Sequence, residues 1–237
     1  ANLVWSFATL GLSSDADGCV VGLACALGLA RKHHRDQQLQ GDVLISTHIC
    51  QSAHPAPHDP YPFVVSPLPS SEKHPRLVDA RMDAILTPET CKSNKMASHL
   101  GFAVTPPVRE GFILRPHDTI LHAVEMVTGK APVVFPVTMQ DVTPYELGVH
   151  HICGMLLPSI FSPAPVIGVP LVTASQTHPS ATNTQQPMVL ESATRFCLEV
   201  ATGFGNGDYH FHYEADFEGM LKSFGAMRGW QRLEKIG

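Results

Sequence analysis

The sequence predicts one α/β domain over residues 1–237, folded as a three-layer sandwich around a mostly parallel central sheet. Three observations predict it. Short apolar runs of strand length alternate along the chain with longer stretches whose apolar residues recur at helical spacing. The chain has 237 residues and is 44% hydrophobic, enough to bury a large core. It carries no internal repeat and no low-complexity tract.

Taken in order, Asn2 to Leu10 is rich in strand formers and leads into Ser13-Ser14-Asp15, whose polar side chains suit the cap of a following helix. That helix is predicted from about Gly18 to Gln37, with Val20, Leu23, Ala24, Leu27 and Ala30 at helical spacing. Its basic end, Arg31 to Arg35, complements the helix dipole. Gly41 closes the unit and Val43 to Thr47 reads as the next strand, so a right-handed βαβ unit is expected. The Pro- and His-rich region at 49–76 is expected to be an ordered loop or a lid, because its prolines forbid regular structure and hold the backbone extended.

Farther on, Met82 to Leu86 reads as a buried strand, followed by a turn and short helix at Thr87 to Met96. Strands are predicted at Gly101 to Thr105, Gly111 to Leu114 and Pro132 to Val137. Pro116-His117-Asp118 opens a helix that Gly129 ends, and Thr143-Pro144 opens another through His150 and His151. Ala164 to Val172 is a further strand, Gln185 to about Thr202 a helix, and Tyr209 to Tyr213 a short alternating strand. Phe217, Met220, Leu221 and Phe224 mark a last amphipathic helix.

A net charge of −5 without a Lys/Arg-rich block disfavours nucleic acid and anionic membrane as partners and leaves a small peptide or amide substrate as the better fit. No apolar run has the length of a membrane span. The six cysteines form no CxxC pair and read as reduced, buried thiols of a cytoplasmic protein. The chain opens with neither an initiator Met nor a basic n-region and reads as a strand already inside a domain, so a preceding N-terminal segment is expected.

The chemistry is expected where strands deliver acids and imidazoles to one edge of the sheet. Asp15-Ala16-Asp17-Gly18 lies between a strand and a helix, either capping that helix or presenting Asp15 as a bridging metal carboxylate. His48 follows an apolar strand, with His54 and His58 in the loop beyond it, and His178 and Asp141 follow two later strands. The resulting expectation is metal-assisted hydrolysis of a peptide or amide bond. Asp15, His48 and His178 are the metal ligands, zinc the favoured divalent metal, and Asp17, His58 and Asp141 the catalytic groups. His210, His212 and Glu214 share one face of a short strand, for which a solvated polar face is the simpler reading than a metal triad. No GxSxG elbow, Walker A loop or GxGxxG is present, and Cys50 is a minor nucleophile candidate beside His48.

Two resemblances bear on this. The segments Ser14-Asp15-Ala16-Asp17-Gly18, Gly41 to Cys50, Glu125 to Gly129 and Val134 to Pro144 resemble a bacterial domain-of-unknown-function family. The first of these, its helix and the following Gly41 to Thr47 also resemble the Asp turn, helix and strand of co-catalytic zinc aminopeptidases, as Pro165 to Pro170 with His178 resembles their final strand and last His ligand. That likeness implies a zinc-exopeptidase-like sandwich, a bridging role for Asp15 and a homo-oligomer. The chain departs from the peptidases at Cys50-Gln51, where they carry a Glu-Glu pair, and no His-x-Asp pair precedes Asp15. An alternative is therefore a catalytically inactive relative that binds a small ligand or self-assembles.

Overall fold

The computed structural model describes residues 3–6, 11–14, 16–49, 54–56, 63–65, 68–93, 97–137, 142–144, 150–175 and 186–227. In chain order the elements begin with β1 (Leu3–Ser6) and β2 (Gly11–Ser14), which pair antiparallel, and α1 (Asp17–His33). A short antiparallel pair follows, β3 (His54–Ala56) and β4 (Phe63–Val65), then the one-turn helix α2 (Ser70–Lys73). The central elements are β5 (Ile85–Lys92), β6 (Gly101–Phe102), β7 (Val108–Arg109), β8 (Phe112–Ile113) and α3 (Asp118–Thr128). The antiparallel pair β9 (Val142–Pro144) and β10 (His150–Cys153) precedes α4 (Pro158–Phe161) and β11 (Val166–Thr173). Two longer helices end the described chain, α5 (Pro187–Phe204) and α6 (Glu214–Phe224).

The architecture is a mixed α/β fold on one open five-stranded sheet, and the expectation of a mostly parallel sheet is corrected by its pairing. Among the strands of this sheet that are described, β5 and β11 alone run parallel, in register from Ile85 opposite Val166 to Lys92 opposite Thr173. On its other side β11 pairs antiparallel with β6 and β7, and β7 turns back into β8. The β7–β8 turn places Glu110 at φ 47° and Gly111 at φ 90°, the paired positive values that a two-residue hairpin needs to match strand twist. Every residue of β11 is buried. Alternation along it sends Ile167, Val169 and Leu171 into one cluster with Phe196, Ile120 and Val21, while Val166 and Val172 pack with Phe135, Leu156 and Phe161 on the other face. Both faces of the sheet are thus covered.

Several local expectations change. β5 occupies Ile85–Lys92, so the stretch from Thr87 expected as a turn and short helix is strand, aligned by its neighbour β11 rather than by its own pattern. His150 and His151 lie in a strand, not a helix. The Pro-rich region forms the β3–β4 pair despite its prolines. Residues 41–49 are not a strand, so the predicted βαβ unit is not formed: Val43, Leu44 and Ile45 lie exposed, with no sheet pairing. Residues 132–137 make only an isolated bridge, Val104 with Val134, and 209–213 only that of His212 with Pro116. α1 begins at Asp17, after an Ala16 cap position that makes no side-chain bond, rather than behind a polar cap. In contrast, α3 matches expectation, with the His117 ring accepting from the Thr119 amide and Gly129 left-handed at φ 66°. Among the described residues, no helix is long and apolar enough to cross a membrane.

Candidate active site

A cavity of about 1170 Å3 lies along β5, between α1 and α5 on one side and the 73–78 segment on the other. Residues 40–48 run across it, tethered at both ends. Gly205 at the end of α5 lies so close to the Gln40 carbonyl that any β-carbon there would collide with it, and Ser46 Oγ donates to the Leu77 carbonyl at 2.7 Å. The Arg81 guanidinium, also in the cavity lining, forks onto Asp79 and holds that carboxyl down at about 2. His74 is buried at the far wall and stacks on Phe161 with ring centroids 5.7 Å apart.

The N-terminus of α1 sits against β5. A β-carbon on Gly18 would stand 2.2 Å from the Pro88 carbonyl oxygen, so the glycine permits a backbone approach closed to other residues. Asp17, next to it, is 4% exposed and opens the helix, where the macrodipole stabilises a carboxylate. His48 is half-buried in the wall of the same cavity as Gly18, Glu89 and Thr90. These two, Asp17 and His48, are the predicted site residues that the structure describes. Asp15, His58, Asp141 and His178 lie outside the described residues. Among the described residues no three His, Cys, Asp or Glu side chains form a group that could hold a metal ion.

A second polar centre, which the sequence reading did not assemble, lies where α3, β7 and the start of α6 meet. Arg109 Nη1 donates to Glu214 at 2.9 Å and lies 3.1 Å from His212 Nε2, and its guanidinium sits 4.0 Å over the Phe217 ring. His212 is buried rather than on a solvated face, since the 209–213 stretch is no strand and alternation does not govern it. Burial, and then the Arg109 charge, lower its affinity for a proton, with Glu214 opposing. His117 is lowered too, by burial and then by His210, whose ring lies 5.1 Å away. The Thr119 hydroxyl accepts from the His210 amide at 3.0 Å, fastening this loop to the α3 N-terminus. Nearby, burial and a 2.8 Å bond to Glu199 push the Tyr209 hydroxyl up to about 12. A smaller cavity, about 480 Å3, opens beside Arg109, His117, His210 and Glu214.

Arg109 and His212 are 103 positions apart, so no local motif could announce their meeting. Their arrangement suits holding rather than reacting, because Arg109 is occupied by Glu214 and by the aromatic ring.

Comparison with the curated proteins and with solved structures yields no match. The family model described as a protein of unknown function, DUF1177, matches residues 5–234, and the chain belongs to that family.

Proposed function

We propose that this chain is a metal-dependent hydrolase of small peptides or amides that works at the cavity beside β5. One observation carries the reading: Gly18 at the α1 N-terminus, next to the buried Asp17, and the half-buried His48 line one cavity of about 1170 Å3 along β5. Cavities of this size take small ligands, and ligands of open α/β sheets gather near parallel strand ends. Carboxylate oxygen and neutral imidazole nitrogen form a donor set that zinc accepts. Asp15, His48 and His178 would hold the metal, with Asp17, His58 and Asp141 serving as acid/base and orienting groups. Zinc, when bound, supplies a Lewis acid and an activated water. The chain's own part is to bind the substrate under residues 41–48, limit the access of bulk water and hold protons at the carboxylates.

Zinc content of protein purified without chelator tests this, together with release of amine from small peptide amides. The expected result is bound zinc and turnover, both lost in Asp15→Ala and His48→Ala. Metal below about one tenth of an equivalent, unchanged by Asp15→Ala, would sink the reading. Cys50-Gln51, standing where the peptidases carry Glu-Glu, favours a second reading, ligand binding without cleavage. It predicts retained ligand affinity and no turnover. Self-association is proposed on the exposed Val20, Leu23 and Leu27 of α1, and light scattering checks it.

A further inference from the structure

We infer that Cys25 and Cys197 are a peroxide-oxidisable thiol pair that closes to a disulfide joining α1 to α5 across one wall of the cavity. The two residues lie on helices that pack together at close range. Gly28 of α1 lies against Leu198, where a β-carbon would come within 2.8 Å of the leucine side chain, and Lys32 Nζ donates to Thr202 Oγ1 at 2.9 Å. One turn before those contacts, Cys25 Sγ donates to the Thr194 carbonyl at 3.8 Å, itself one turn before Cys197 on α5. Both cysteines belong to the same buried cluster at this helix contact. Both side chains line the large cavity, which gives a small oxidant a route to sulfur atoms otherwise shielded, their residues being 8% and 7% exposed.

The two thiols are set apart in character: the neighbouring Cys197 lowers the Cys25 thiol, while Cys25 and then burial hold Cys197 up as a neutral thiol. Cys25 is therefore the attacking sulfur. Its thiolate displaces hydroxide from hydrogen peroxide, breaking the O–O bond and forming Cys25–SOH. Cys197 Sγ then attacks that sulfur: the S–S bond forms, the S–O bond breaks, and the departing oxygen leaves as water with the Cys197 proton. Two electrons pass from the thiol pair to the peroxide. Once joined, α1 no longer shifts along α5, and this wall of the cavity keeps its width. The pair's chemistry stands whether or not the cavity is hydrolytic.

The test treats the purified full chain with stoichiometric hydrogen peroxide, blocks remaining thiols by alkylation and maps peptides without reduction. A peptide pair joined through Cys25 and Cys197, lighter by two hydrogens and undone by a dithiol, is expected. Cys197→Ser should leave a sulfenic acid on Cys25 that dimedone traps, and Cys25→Ser should leave Cys197 a free thiol. Alkylation of both cysteines after peroxide in the wild-type chain overturns the pair, as does a link from Cys25 to any other cysteine. Because the wild-type map needs no substitution, a variant that fails to fold does not decide the outcome.

Discussion

The two flanks of the sheet solve opposite problems. Along β5, the cavity flank leaves apolar groups uncovered: Val43, Leu44 and Ile45, which line the cavity, are 38%, 45% and 40% exposed. At the other end, the corner around Arg109 buries polar groups and ties them together across elements distant in sequence. An uncovered apolar flank keeps room for an occupant, whereas a buried polar network rewards one arrangement and penalises every partly satisfied alternative. Ligand chemistry is therefore proposed on the first flank, and a holding role is assigned to the second.

The comparison breaks most readily at Phe217. It is 3% exposed, packs edge-on to Phe112 and His212, and carries the Arg109 guanidinium over its face. Phe217→Ala should cost about 3–5 kcal/mol, the usual range for a buried aromatic, whereas Leu44→Ala on the cavity flank should stay within about 0.5 kcal/mol. Urea unfolding of the two variants measures this, and equal losses would dissolve the distinction. A smaller contrast separates two glycines. Gly18→Ala drives a β-carbon into the Pro88 carbonyl and should destabilise by about 1–3 kcal/mol, despite the better helix propensity of alanine. Gly219→Ala in α6 meets nothing within 4 Å and should stabilise by up to about 1 kcal/mol. Thermal melts of both variants report the sign.

Much of the helical framework was legible in the sequence, because α3, α5 and α6 carry apolar stripes and, for α3, terminal signals that do not depend on distant partners. Strands were less so. β5 takes its full eight residues from alignment against β11, information that lies 81 positions away, and β10 places in a strand two histidines that local reading assigned to a helix. Val43 to Thr47 shows the converse: its composition favours a strand, yet without a paired edge the preference goes unused. The same limit governs the sites. Asp17 and His48 were legible as chemistry at element ends, while Arg109 and His212 meet only through the fold.

Arg109 sharpens the comparison from within the corner. Removing it leaves both Glu214 oxygens without the Nη1 donor they share and uncovers Phe217, so Arg109→Ala should destabilise by about 1–3 kcal/mol. Arg109→Lys should recover only part of that, since an ammonium can reach Glu214 but has no planar group to lay on the ring. Chemical denaturation of the pair separates lost charge from lost geometry.

The finest test is pH. The His212 imidazole is held below its unfolded value near 6.5, by burial first and by Arg109 second, while Glu214 and Asp216 pull the other way. His117 is displaced in the same direction, by burial, His210 and Arg115 against Asp118. A histidine depressed on folding binds fewer protons in the folded chain than in the unfolded one. Stability is therefore complete above about pH 6.5 and declines as the pH falls from there through the folded value. His212→Gln should flatten part of that decline, and Arg109→Ala should move the His212 titration, followed by its ring proton resonances, to higher pH. Leu44→Ala should leave the slope as it is. An acid slope that survives in His212→Gln with His117 also replaced would show that proton linkage does not reside in this corner, and the contrast between the two flanks would then rest on packing alone.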